Sequence, residues 1–165
     1  MKPIEAFGKP YQIGVLVKDL HKGVESYWKN YGIGPWSIYT FKPGPVQDMR
    51  VRGERKDFTI KIALTMFGPF QIELIQPIKG DNIYWDYLRE KGEGLHHIGC
   101  AVDDIEESIN TLAQSGINVI QSGTFWKSGK FAYLDTEKAL GFVLEISRRP
   151  KEEDRLMPEG MFPDK

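Results

Sequence analysis

The chain has 165 residues, 41% hydrophobic and 27% charged, with a net charge of −1 at neutral pH. This length fits one compact domain or two small halves sharing a core, and the charge balance leaves no electrostatic footprint for nucleic acid or an anionic membrane. No apolar run approaches the ~20 residues that span a bilayer, and the single cysteine, Cys100, excludes an internal disulfide and any multi-thiolate metal site.

The stretch from Met1 to Pro10 lacks the apolar core of a secretory signal, so a cytoplasmic protein is expected. Tyr11 to Val17 is short, apolar and β-branched, and reads as a strand. Asp19 can cap the helix that follows. Leu20, Val24, Tyr27, Trp28 and Tyr31 recur there at helical spacing, and Gly32 and Gly34-Pro35 end it. Trp36 to Phe41 is a second, aromatic-rich strand. Lys42 to Asp57 begins with Pro43, Gly44 and Pro45, continues into a run of charges and reads as a mobile loop. Phe58 to Phe67, a Gly68-Pro69 turn and Phe70 to Gln76 read as a hairpin.

Asp81 to Lys91 is a short connecting helix closed by Gly92 and Gly94. His96 to Val102 is the next strand, in which Cys100 is expected as a buried, inert thiol. Asp104, with Glu107 three residues on, opens a helix with Ile105, Ile109, Leu112 and Ala113 on its apolar face and Gly116 at its stop. Three strands are expected near Asn118 to Phe125, Phe131 to Asp135 and Gly141 to Ser147. The charged, proline-containing tail from Arg148 to Lys165 reads as a loose extension, or as a segment packed on a partner subunit.

An internal repeat underlies this order. Gln12-Ile13-Gly14-Val15-Leu16-Val17-Lys18-Asp19-Leu20 matches His97-Ile98-Gly99-Cys100-Ala101-Val102-Asp103-Asp104-Ile105 position for position, 85 residues apart. The match continues where Val24 meets Ile109 and Tyr27 meets Leu112. Such self-similarity implies two copies of one structural unit. The expected organisation is α+β: a first βαβββ module over 1–80, a connecting helix over 81–93, a second βαβββ module over 94–149 and an extension over 150–165.

Side chains alternate faces along a strand. Tyr11, Ile13, Val15 and Val17 then point toward the helix, and Gln12, Gly14 and Leu16 point away. In the matching strand His96, Ile98, Cys100 and Val102 share the helix face, and His97, Gly99 and Ala101 oppose them. A polar residue two before a glycine thus recurs. In Phe70-Gln71-Ile72-Glu73-Leu74 and Phe142-Val143-Leu144-Glu145-Ile146, Glu73 and Glu145 each lie between aliphatic neighbours. A carboxylate there is costly to bury unless it is paired or coordinates a metal. His21 is expected as an exposed residue near a helix start.

Gln12, Glu73, His97 and Glu145, at matched places in a repeated unit, form a nitrogen and oxygen donor set for one divalent metal ion, with Zn, Ni, Co and Mn all possible. Such an ion polarises a carbonyl and acidifies the neighbouring C–H, and a carboxylate at or beside it, Glu145 or Glu73, can take the proton. A small-molecule carbonyl substrate is implied, with no nucleic acid or membrane partner.

These residues resemble the vicinal oxygen chelate superfamily, in which paired βαβββ modules curl into a cup-shaped mixed sheet around a metal with the helices outside. The resemblance covers roughly Tyr11 to Ser147. It implies ligands from the first and last strands of each module, here Gln12, Glu73, His97 and Glu145, and a homodimer. That ligand combination is similar to one branch of glyoxalase I, in which the glutamate matching Glu145 is implied as the base. The Gly94-Leu95-His96-His97-Ile98-Gly99 segment looks more like methylmalonyl-CoA epimerase.

Departures sort the alternatives. Leu16 stands where glyoxalase I carries an arginine for glutathione. Arg55-Lys56-Asp57-Phe58-Thr59 lacks the glutamate that the epimerase has there, and Gln12 replaces its usual histidine. Gln12 and Glu73 also disfavour extradiol dioxygenase chemistry. An epimerase-like isomerase leads over a glyoxalase-like lyase. A drug-sequestering binding protein of the same fold is the non-enzymatic alternative. Trp36, Tyr39, Phe41, Phe125, Trp126 and Tyr133 are expected to line or flank the cup, which would suit an apolar or ring-bearing ligand.

Overall fold

The computed structural model describes residues 3–164, so Met1, Lys2 and Lys165 at the ends of the expected first module and tail lie outside it. After a short α1 (Pro3–Ala6) come β1 (Lys9–Leu16), α2 (Leu20–Tyr31), β2 (Trp36–Phe41), β3 (Val46–Val51), β4 (Glu54–Arg55), β5 (Thr59–Phe67) and β6 (Phe70–Lys79). Next are α3 (Ile83–Lys91), β7 (Gly94–Ala101), α4 (Ile105–Gln114), β8 (Val119–Phe125), β9 (Gly129–Leu134), α5 (Glu137–Leu140), β10 (Val143–Arg148) and β11 (Gly160–Phe162). No described helix is long and apolar enough to cross a membrane.

One 11-stranded open sheet runs β11-β2-β5-β6-β1-β7-β10-β9-β8-β3-β4. Its symmetry centre is the antiparallel β1–β7 pair, flanked by β6 parallel to β1 and β10 parallel to β7. The sequence repeat therefore appears as a structural one, with β1 and β7 equivalent and adjacent. Asp19 caps α2 by accepting the Lys22 amide at 3.1 Å, and Asp104 caps α4 by accepting those of Glu106 and Glu107 at 3.0 Å. Gly32, at φ 67°, ends α2 in the left-handed conformation that glycine tolerates.

Three apolar clusters hold the layers together. Leu20 and Val24 of α2 bury against Val17, Trp36, Ala63, Ile72 and Leu74. Ile105 and Leu112 of α4 bury against Ala132, Leu134, Leu144 and Ile146, with Cys100 among them. The third cluster lies on the opposite, concave face and joins Leu16, Ile60, Ile62 and Ile75 from one half to Phe131, Tyr133 and Val143 from the other. Each fully buried large side chain contributes roughly 1.5–3 kcal/mol, so this last cluster ties the halves into one body. Burial pushes the Cys100 thiol up to about 11, which leaves it an unreactive core group.

Three sequence expectations change here. The expected mobile loop from Lys42 to Asp57 contains β3 and β4, and β3 pairs with β8 of the other half instead of extending its own. A register shift between Gln47 and Arg50 accompanies positive φ at Asp48 (51°), the mark of a bulge that bends the strand across. The tail is not loose, since β11 adds to the outer edge of β2. Trp36 does not face the cup: it is fully buried on the helix side, donating its indole N–H to the Ile33 carbonyl at 2.8 Å.

Candidate functional site

The central strands place the polar side chains by register. Gln12 on β1 stands opposite Gly99 on β7, and His97 on β7 stands opposite Gly14 on β1. On the outer sides Glu73 registers with Gly14, and Glu145 with Gly99. One row therefore reads Glu73–Gly14–His97 and the next Gln12–Gly99–Glu145, each polar chain reaching over a bare glycine. The space is needed: a Cβ on Gly14 would lie 1.9 Å from His97 Cε1, and one on Gly99 would lie 2.9 Å from Gln12 Oε1.

The structure brings all four sequence-selected residues together at the floor of the concave face. His97 Nε2 lies 3.3 Å from Gln12 Oε1, 3.5 Å from Glu73 Oε2 and 3.2 Å from Glu145 Oε2. All four side chains are buried. The Gln12 amide is oriented by donating through Nε2 to Gln71 Oε1 at 2.8 Å, which turns its carbonyl oxygen toward His97. The four donors rest on one another and do not form an open coordination shell among the described residues.

Electrostatics make this convergence expensive. Burial pushes the His97 imidazole down to about 3, so the ring is neutral. Burial also pushes the Glu145 carboxyl up to about 8. Burial, with the Glu145 charge beside it, pushes Glu73 well above the usual carboxylate range. Although His97 Nε2 approaches Glu145 Oε2, that oxygen accepts no hydrogen bond. A buried acceptor without a donor beside a second carboxylate and a neutral imidazole is the pattern that a bound cation relieves.

His96 departs from expectation. A register shift between Gly14 and Val15, opposite this point of β7, breaks the alternation of faces. The ring packs against Tyr84, Tyr87 and Tyr133, and its Nδ1 lies 3.1 Å from His97 Nδ1. Two imidazole nitrogens at that distance share one proton, so His96 and His97 are coupled in tautomer. Tyr11 is displaced likewise. A register shift between Pro10 and Gln12 brings it to the cup, where its hydroxyl pairs with Ser147 Oγ at 2.9 Å.

Above the floor is a cavity of about 220 Å³ with Tyr39, Phe41, Phe125, Trp126, Phe131 and Tyr133 on its walls. Of the aromatics expected there, all but Trp36 are present. Tyr84 and Gln71 also line it and were not foreseen. Gln71 shares the face of Glu73 at a spacing of two, and Ser147 that of Glu145, so strand periodicity carried that signal. Tyr84 depends on how α3 is held. Asn82 Oδ1 accepts the amides of Tyr84 and Trp85, and Gln121 Oε1 that of Ile83 at 3.0 Å.

Residues 11–133 match the model of the glyoxalase/bleomycin resistance protein/dioxygenase superfamily, and the chain belongs to that family. An uncharacterized protein of Bacillus subtilis, YqjC, is 26% identical over 91 residues, a match spanning 53% of this chain and 64% of that protein. Among solved structures, methylmalonyl-CoA epimerase from Mycobacterium tuberculosis superposes with a TM-score of 0.65 at 17% identity, covering 88% of this chain and 90% of that one. A Streptomyces coelicolor methylmalonyl-CoA epimerase, in complex with 2-nitronate-propionyl-CoA, gives 0.66 at 19%, covering 87% of this chain and 99% of its own. At these identities the two epimerases establish a shared fold.

Proposed function

We propose that Gln12, Glu73, His97 and Glu145 hold one divalent metal ion, and that the protein is an isomerase moving a proton next to a carbonyl, of the methylmalonyl-CoA epimerase type. The observation that carries this reading is the convergence on His97 Nε2 of three oxygen acceptors, one of them a buried carboxylate oxygen with no donor. The donor set fits the ion: a neutral imidazole, an amide oxygen and two carboxylates suit Zn, Ni, Co or Mn. Bound there, the ion would polarise a substrate carbonyl and so acidify the adjacent C–H.

The residues supply the rest. Glu73 on β6 and Glu145 on β10 stand on opposite sides of the β1–β7 seam. Epimerisation needs a proton removed on one face of a carbon and returned on the other, and a pair so placed can divide those tasks. Glu54, next to the segment that lacks the epimerase's additional glutamate, pairs with Lys56 on the exposed β4 edge and leaves Glu73 as the second carboxylate. Leu16 is fully buried in the concave cluster, where it offers nothing to a glutathione carboxylate.

Solvent deuterium exchange tests the reading. With methylmalonyl-CoA in D2O, the wild-type protein should exchange the proton next to the thioester carbonyl. Glu145→Gln should reduce that rate by about 10²–10⁴-fold, the usual contribution of a positioned base. Undiminished exchange by Glu145→Gln would remove Glu145 from the mechanism.

A further inference from the structure

The segment after β10 closes one side of the cup, and no part of the proposed chemistry uses it. Its start is fixed where Arg148 donates to the Ser128 carbonyl and the Lys151 amide to Ser128 Oγ at 2.9 Å. Its end is fixed by the β11–β2 pairing, by the Glu159 amide on the Ile38 carbonyl at 2.9 Å and by Thr40 Oγ1 donating to Glu159 Oε2 at 2.8 Å. Between these anchors the strap runs from one half of the molecule to the other. Arg149, Pro150, Arg155 and Leu156 face the cavity.

Two cations thus stand in the rim above a floor that carries carboxylates. The Arg149 guanidinium lies over the Tyr11 ring at 4.7 Å, a stacked position that leaves its planar fork of N–H donors usable. Arg155 stands near enough to Tyr39 to act on its hydroxyl electrostatically. Its ion pair with Glu152, at 3.0 Å, is exposed and one an incoming anion can displace at little cost. Between rim and floor the walls are rings: Trp126 packs on Tyr39 at 5.2 Å across the two halves, and Phe41 stacks on Phe125 at 5.8 Å.

We propose that the strap forms an anion-recognising rim, and that the cup accepts, in addition to an acyl thioester, a compact carbonyl compound with a flat, apolar, ring-like body and an anionic group at the end remote from the carbonyl. This rests on the preceding section only for placing the carbonyl at the floor. The rim fixes the polarity: Arg149 and Arg155 line the mouth of the cavity and attract an anionic group to that end. The aromatic walls select a planar body. A cavity of about 220 Å³ is below the usual range for drug-sized ligands and suits a single-ring compound.

The probes are 4-acetylbenzoate, which has a carbonyl and a carboxylate on opposite ends of one ring, and its neutral counterpart 4-methylacetophenone. Binding is measured by calorimetry on the full chain as purified, with thermal unfolding to verify that each variant is folded. Wild type should prefer the anion by about ten-fold or more. Arg149→Gln and Arg155→Gln should each lower affinity for the anion several-fold and leave the neutral probe unchanged, and the double variant should abolish the preference. Equal binding of both probes, no binding of either at millimolar concentration, or a preference surviving in the double variant would overturn the rim. Deuterium exchange into the acetyl group reports separately on the floor. Preference without exchange counts against the proposed chemistry alone, and exchange without preference against the rim alone.

Discussion

At Gly14 the site is decided by an absent side chain, because a Cβ there would occupy the position of the His97 ring. The same holds for Gly99 beneath Gln12 and Glu145, the latter's Oε2 lying 3.1 Å from where that Cβ would be. The four polar residues and these two glycines were legible in the sequence because a repeat marks equivalent positions twice. His96 and Tyr11 were not, since each lies beside a register shift of the β1–β7 pair. A bulge adds one residue to one strand, and strict alternation has no way to signal it. His96 matters to the proposed centre: were His97 to hold the ion through Nε2, its Nδ1 would carry the shared proton and His96 Nδ1 would accept it. Replacing His96 by Phe keeps a ring among the tyrosines but removes that acceptor. Metal affinity, measured by competition with a chromophoric chelator, should fall about 10–100-fold. An unchanged affinity would reduce His96 to a packing role.

Among the elements, helices and central strands were readable from periodicity and caps, whereas the edges were not. β3 is short, follows a proline- and glycine-containing stretch and alternates poorly, so its pairing with β8 is a tertiary outcome. β11 is three residues long and gains its partner only because the strap delivers it to β2. The β8–β9 turn is strained, with Trp126 at φ 47° and Lys127 at φ 61°. Trp126 is held there by its contacts with Tyr39, Phe41 and Phe125. Lys127 is exposed, so the left-handed conformation costs it about 1 kcal/mol without return. Lys127→Gly should therefore stabilise the protein, by up to about 1 kcal/mol in denaturant unfolding. A loss of stability would show that the lysine side chain has a structural role.

For the whole molecule, the buried floor links stability to pH. Glu145 at about 8 and Glu73, also raised, hold protons in the folded protein at pH values where the unfolded chain has released them. Stability from these groups is complete below the ordinary carboxylate value near 4.5 and is lost as pH rises through the folded values. His97, depressed to about 3, and His96, also pushed well below the usual imidazole range by burial, act in the opposite sense and only below the ordinary value of 6.5, where the unfolded chain takes up protons that the folded rings refuse. Two imidazoles offset the two carboxyls below about pH 6.5, and the carboxyls act unopposed above it. Chelator-treated protein should lose thermal stability from pH 6.5 to pH 8, with little change between pH 5 and 6.5. Metal should restore most at pH 8, since ligands must be deprotonated to bind. Stability of the chelated protein that rises over this range would show the carboxylates to be ionised and otherwise paired.

The most direct measurement is elemental analysis of untagged protein purified without chelator, repeated after dialysis against Zn, Ni, Co or Mn. The four-donor floor predicts about one equivalent of a divalent metal per chain, lost in Glu145→Gln and in His97→Ala. Protein that carries no metal and takes up none would contradict the metal centre. The cup would then be a binding site for a ring-bearing ligand, with no metal-assisted proton transfer at its floor.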